Sequence, residues 1–378
     1  MNIILITEDF PPMVGGIAVF LSELSSGLAK MGNEIRVMAN EMPDSDEYDK
    51  KQIYPVIRYR ILRNLSSLYI GWYLLKQIIR KKPDVLFLGH VTATRGLSVL
   101  LFHRFFRIPY VVLIHAGHLP IASKINRIAA YALLRHANLL LANSNYTKQL
   151  LVEKGLKDEK IKILTPGVDI NYFYPSNDET FIRKTRTEYG ADGMPLILNV
   201  GRLVPKKNQL RIINAIAKIW EQGLLVKCII AGSGQEHTNL QRHIEELGIA
   251  THVLLIGDVN REKVRELCQA ADIVVLPSII DNGEYESFGI VALEASACAK
   301  PVIVGSKGGQ GDAVIPDKTG IVVDASDENN IAKAISHLIS NKDIAHRIGM
   351  SGRQHVVDNF SWNKIAERTT NLFLDMIK

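Results

Sequence analysis

The strongest constraint on this chain is the run from Asp272 to Ala295. Asp272-Ile273-Val274-Val275-Leu276-Pro277 is an apolar stretch closed by proline, the pattern of a short buried strand. After the loop Gly283-Glu284-Tyr285-Glu286-Ser287-Phe288-Gly289, Ile290 to Lys300 is rich in good helix formers. A helix that starts just beyond a strand presents unpaired N–H groups and a partial positive charge above the sheet, a setting suited to phosphate. Glu286 lies in the loop just before this helix and Glu294 about a turn inside it. Carboxylates are poor phosphate ligands but good acceptors from sugar hydroxyls. The pattern therefore points to a nucleotide sugar: diphosphate at the helix end, one Glu toward the sugar and the other toward the ribose. Taken singly, each acid reads more simply as a solvated surface group.

The same strand, loop and helix order recurs along the chain. Strands are predicted at residues 3–6, 34–39, 84–88, 110–114 and 138–142, and the pattern restarts near Pro195 with 196–200, 226–231 and 252–256. Such alternation predicts an α/β architecture of parallel sheets with functional loops at their carboxyl edges. The first loop, Glu8 to Gly16, leads into a helix predicted over residues 17–31, and its Gly15-Gly16 pair would let backbone approach a ligand. It lacks G-x-G-x-x-G, which removes support for dinucleotide binding and hydride transfer. His115 and His118 follow another predicted strand end, and Arg202 and Lys207 are five apart in a Gly- and Pro-containing loop after the strand 196–200. Two cations so placed can converge on one anion, Arg as a fork and Lys as a point charge.

Glu286 and Glu294, with Ser287-Phe288-Gly289 after the first, resemble the signature of the retaining glycosyltransferases of family 4, and the resemblance covers the whole chain. It implies the GT-B fold, two facing Rossmann-like domains with a last helix crossing back to the first. The expected boundaries are an acceptor domain over 1–172 completed by 361–378, and a donor domain over 173–360, with Thr165 to Asp169 and Tyr172 to Pro175 as the hinge. It further implies that Gly15 and Gly16 face the donor diphosphate, that Arg202 and Lys207 clamp it, and that Ser287 and the amides of Phe288, Gly289 and Ile290 complete its site. His115 matches the active-site histidine near the donor sugar, with His118 the second choice. Val259 is the candidate neighbour of the nucleobase, and Glu294 holds the ribose. Asp312, where the family commonly has Glu, and Ala299-Lys300-Pro301, where it has X-Gly-X-Pro, are mild departures that weaken any subfamily assignment.

Composition limits the remaining readings. The chain has 378 residues, 47% hydrophobic and 22% charged, enough for two ordinary cores. Cys228, Cys268 and Cys298 are too widely spaced for a disulfide framework or metal cluster, which suits a reducing cytoplasm. Met1 to Ile6 reads as a first strand and not as a signal peptide, and no apolar run is long enough to span a bilayer. The net charge of +6 hides an asymmetry: between Lys50 and Val152 there are 16 Lys and Arg and a single acid, Asp84, against 29 basic and 38 acidic residues elsewhere. Such a field attracts an anionic partner. Within it, residues 59–82 are amphipathic, basic and aromatic, as expected equally of a helix at a membrane interface and of a core-packed helix with a solvated basic face.

The chemistry expected is transfer of a hexose from UDP-sugar or GDP-sugar to a lipid-linked or phosphorylated saccharide acceptor, in cell-envelope glycan or glycolipid synthesis. Asp44-Ser45-Asp46 reads as a solvated acidic turn and not as a metal site, so neutralisation of the leaving diphosphate falls to Arg202, Lys207, Gly16 and the helix amides, with no metal or other cofactor required. No motif residue is an obvious nucleophile, in agreement with the front-face retention that the resemblance implies. Two other readings stay in play: a nucleotide-sugar epimerase of the same architecture, and a nucleic-acid-binding module, which the basic half suggests but no reading motif supports. The expected location is the cytoplasm, peripheral on the inner face of the membrane.

Overall fold

The computed structural model describes residues 1–13, 15–60, 66–91, 93–115 and 124–378, with side-chain surroundings for all of these except 66–68, 93–95, 97 and 124–127. The chain divides into two compact units, Met1–Gly167 with Trp362–Lys378, and Val168–Ser361.

The first unit holds seven strands: β1 (Asn2–Ile6), β2 (Glu34–Asn40), β3 (Val56–Tyr59), β4 (Val85–Leu88), β5 (Tyr110–Ile114), β6 (Leu139–Ala142) and β7 (Ile161–Ile163). Between them run helices α1 (Gly16–Lys30), α2 (Ser45–Asp49), α3 (Ser66–Arg80), α4 (Ala93–Phe106), α5 (Lys124–His136) and α6 (Asn145–Glu153). The sheet is wholly parallel in the order β3-β2-β1-β4-β5-β6-β7. Both faces are covered, so its strands are near-continuous apolar runs. Ile4, Ile6, Leu86, Leu88, Val112 and Ile114 pack on one side with Ile70, Leu74 and Ile78 of α3. Ile3, Leu5, Val37, Phe87, Val111 and Leu113 pack on the other with α1.

The second unit repeats the scheme with β8 (Leu196–Val200), β9 (Lys227–Ala231), β10 (Val253–Leu255), β11 (Ile273–Leu276), β12 (Val302–Gly305) and β13 (Ile321–Val323), parallel in the order β10-β9-β8-β11-β12-β13. Its helices are α7 (Glu179–Glu188), α8 (Gln209–Glu221), α9 (His237–Glu246), α10 (Arg261–Ala270), α11 (Ile290–Ala297), α12 (Glu328–Ser340) and α13 (Lys342–Asn359). The last helix, α14 (Trp362–Ile377), belongs to the first unit. It buries Ile365, Ala366 and Phe373 beside α1, where a Cβ on Gly27 would come within 2.8 Å of the Ala366 Cβ.

Four strands, β3, β7, β12 and β13, were not predicted from sequence. All but β12 lie at a sheet edge, and each has three or four residues, too few for a period-2 pattern to stand out. The helix predicted over 290–300 ends earlier, at Ala297, since Ala299 takes a positive φ of 58°. The acidic stretch read as a solvated turn is the short helix α2, and its last residue, Asp49, pairs with Arg58 at 2.7 Å with both side chains largely shielded. That correction has a simple cause: the partner of Asp49 is on β3, a strand the sequence pattern did not show.

Helix α3 packs one face on the core and leaves the other exposed. Ile70, Leu74, Gln77 and Ile78 are buried, while Tyr69, Trp72, Lys76, Ile79 and Arg80 are exposed, with the Lys76 ammonium 5.0 Å from the Trp72 ring centre. Among the described residues no helix is long and apolar enough to cross a membrane.

Candidate active site

Each sheet reverses its strand order once near the middle, and the crevice above such a reversal is where open α/β sheets bind ligands. In the second unit the reversal falls between β8 and β11. The loop after β8 carries Arg202 and Lys207; the loop after β11 carries Glu286 and the start of α11.

Lys207 sits at the end of a short 3-10 turn, Pro205–Lys207. The next residue, Asn208, is buried in the left-handed region at φ 62° and donates its side-chain amide to the carbonyls of Pro277 (3.0 Å) and Ala325 (2.8 Å). These bonds tie the lysine loop to the ends of β11 and β13. The Ile279 amide donates to the Lys206 carbonyl at 2.9 Å, and Lys206 pairs with Glu284 at 3.1 Å. So braced, the Lys207 ammonium meets the Glu286 carboxylate at 2.6 Å, with 18% and 17% of the two side chains exposed. A pair that is short and mostly withdrawn from water is worth more than a surface ion pair.

Glu286 is held from behind by its own backbone. The Gly309 amide donates to its carbonyl at 2.8 Å, and Gly308, at φ 78°, lies so close that a Cβ would fall 2.7 Å from that oxygen. Gly289 (φ 86°) begins α11, and no side chain caps the helix. The Phe288 ring is buried and lies 6.0 Å from Phe360, so that residue offers a ligand only its main chain; Ser287 and Ile290 are half-buried.

Glu294 is also half-buried, and burial pushes its carboxyl up to about 7, with Arg261 pulling the other way. The Arg261 guanidinium stacks 4.6 Å from the Tyr172 ring centre. Val259 is half-buried after β10, beside Asp258, whose carboxylate accepts from Ser233 at 2.6 Å. Arg202 is exposed and forms no ion pair among the described residues. The structure thus joins Lys207 to Glu286, while Arg202, five residues earlier in the same loop, forms no ion pair with Glu286.

In the first unit, Gly15 and Gly16 open α1, exposed and with nothing within 4 Å of a Cβ built on either. His115 ends β5, 9% exposed, edge-on to Phe20 at 5.8 Å, with its Nδ1 3.5 Å from the Asn143 amide nitrogen. His118 lies outside the described residues. Sequence reasoning passed over His90, which ends β4 and lies 3.9 Å from Glu8 at the end of β1, across this sheet's own reversal point. Burial holds its imidazole below the usual histidine range, opposed by Asp9. The signal was available, since Gly89-His90 follows a strand just as His115 does.

Comparison with known proteins defines the class: this is a glycosyltransferase of the GT-B fold. A family model described as glycosyl transferases group 1 matches residues 181–355, and one described as glycosyltransferase family 4 matches residues 14–172. An uncharacterised glycosyltransferase of Methanocaldococcus jannaschii is 30% identical over 99% of this chain and 98% of its own length. The chain belongs to glycosyltransferase family 4. A GDP-mannose-dependent alpha-(1-6)-phosphatidylinositol monomannoside mannosyltransferase of Mycolicibacterium smegmatis is 29% identical, covering 98% of this chain and 97% of the relative. Among solved structures, Anabaena HepE in complex with UDP superposes with a TM-score of 0.83 at 22% identity, covering 99% of this chain and all of that one, which speaks for the fold. Nothing in these comparisons supports an epimerase.

Proposed function

We propose that this enzyme transfers mannose from GDP-mannose to a phosphoinositide-type lipid acceptor, with retention of configuration and without a metal ion. The observation that carries the reading is the Lys207–Glu286 pair beside the uncapped start of α11, at the reversal point of the second sheet. The mannosyltransferase relatives, matched along nearly their whole length, support the choice of donor and acceptor. The second unit takes the donor and the first the acceptor. Lys207, Arg202 and the amides of α11 neutralise the diphosphate as the bond from the sugar C1 to the phosphate oxygen breaks. The acceptor oxygen bonds to C1 on the same face, its proton passes to the departing phosphate, and the nucleoside diphosphate leaves. Glu286 and His115 orient the sugar, and Glu294 accepts from the ribose hydroxyls.

The direct test is product formation from GDP-mannose and phosphatidylinositol or its monomannoside, with UDP-glucose as the competing donor. Transfer from UDP-glucose alone would replace the donor assignment. Activity is expected to survive EDTA; loss in EDTA with rescue by a divalent ion would reject the metal-free route.

The exposed face of α3 is the proposed membrane contact. Trp72 is 56% and Ile79 74% exposed between cations, and Phe105 of the neighbouring α4 is 77% exposed. Replacing Trp72 and Ile79 together by Ser is expected to weaken binding to anionic vesicles by about tenfold or more. Equal sedimentation of the unaltered enzyme with anionic and neutral vesicles would remove the electrostatic half of this proposal.

A further inference from the structure

The donor edge of the second sheet is its carboxyl edge. At the opposite, amino edge lies a cavity of about 550 Å³ that the glycosyl-transfer chemistry does not use, lined by the residues that precede β8, β11 and β12 and by the start of α13. Strands of four or five residues separate the two edges by roughly 15 Å.

The wall of this cavity is unusually rich in positive charge. Arg186, Lys300, Lys342 and His346 line it against a single acid, Asp272. That acid is already committed: its carboxylate accepts from the Leu196 amide at 2.7 Å and from Arg186 at 2.9 Å. Arg186 is committed too, donating to the carbonyls of Ala270 and Met194 as well. Lys300 is different. Its side chain is half-buried and, among the described residues, forms no ion pair or hydrogen bond. Burial holds its ammonium below the usual lysine range, with Asp272 opposing. A partly shielded ammonium with no partner of its own is free to take an anion that enters the pocket, and shielding strengthens that contact. Lys342 and His346, one turn apart on α13, face the same space. The side chain of Asn341, at the head of α13, turns back to the His337 carbonyl and leaves the first amides of that helix uncapped. Pro195, Ile273, Leu338 and Ile339 supply an apolar wall.

We propose that this pocket is a second ligand site, taking a phosphate monoester on a small body of sugar size, with the phosphate at Lys300 and Lys342. The volume suits a single such molecule. The phosphate has two possible carriers, a free sugar phosphate or a lipid headgroup, and the experiment separates them. Glucose 6-phosphate is titrated calorimetrically into the full-length enzyme with GDP held in excess, and vesicles containing phosphatidic acid are sedimented in parallel.

Binding of glucose 6-phosphate is expected, absent with glucose, and about ten- to a hundredfold weaker in Lys300→Met. Lys207→Ala should leave this binding unchanged, which separates the pocket from the donor site and from the function proposed above. Vesicle retention that depends on Lys300, without binding of the soluble ester, would support the pocket and assign the lipid headgroup. Failure of both ligands, or equal binding by the unaltered enzyme and Lys300→Met, would overturn the proposal. The variant also checks the fold: because Lys300 makes no ion pair or hydrogen bond among the described residues, Lys300→Met should melt no lower than the unaltered chain.

Discussion

Lys207→Ala and Glu286→Ala are each expected to lower kcat/KM by a factor of about a hundred or more, the usual effect of removing a group that stabilises transition-state charge. The two effects have different origins. In the proposed roles, Lys207 neutralises the departing diphosphate, so its loss should fall mainly on kcat, and Glu286 orients the sugar, so its loss should fall on both kcat and KM. Because the side chains meet at 2.6 Å and are largely shielded, either single change also strands a charge. Each single variant should therefore lose about 1–3 kcal/mol of stability, while the double variant should be no less stable than the worse single one. Circular dichroism and chemical denaturation check the fold, and steady-state kinetics the activity. Near-full turnover by either folded single variant would remove the Lys207–Glu286 pair from the mechanism.

The second large effect concerns Glu294, whose carboxyl is pushed up to about 7 by burial. A carboxyl raised in the folded state favours folding while protonated. Its contribution is intact below the ordinary carboxylate range, near 4.5, and is lost as pH rises to about 7. Above that the ionised group carries a constant penalty, on the order of 2 kcal/mol after allowance for its partial exposure. Glu294→Gln should thus melt several degrees higher than the unaltered enzyme at pH 8 and at nearly the same temperature at pH 4.5. If Glu294 accepts from the ribose, the same variant should bind donor about tenfold more weakly at pH 8, because a charged acceptor makes the stronger hydrogen bond. Stability and donor affinity would then move in opposite directions. Unchanged donor binding in Glu294→Gln would remove the ribose role, and an unchanged melting difference across the pH range would remove the burial argument.

The basic first half has a more modest place than its charge suggests. Part of it is structural: Arg58 is held by Asp49, with both side chains largely shielded. On α3, the exposed Lys76 and Arg80 lie beside the exposed Trp72 and Ile79, which is why the vesicle experiment targets that face.

Much of the site could be read as separate local motifs. A strand, a loop with Glu286, and a helix with Glu294 about a turn inside it are legible from residue order, because apolar runs, proline stops and helix formers act over a few neighbours. So was the loop holding Lys207. What could not be read is that these loops are adjacent, since nothing near residue 207 says that β8 will pair with β11. Nor could the different fate of Arg202, which starts in the same loop and ends in solvent.

By itself, then, the sequence determined the alternation of strand and helix, the two-part α/β architecture and the glycosyltransferase motifs. The tertiary structure alone decided where the strand order reverses, that Lys207 and Glu286 share one ion pair, that Glu294 is shielded enough to hold its proton near neutrality, and that Lys300 has no ion-pair or hydrogen-bond partner among the described residues. The division has one physical reason. Periodicity and turn chemistry are set by neighbours in the chain, whereas strand order, ion pairing and burial depend on residues tens to hundreds of positions apart, which meet only when the sheets assemble.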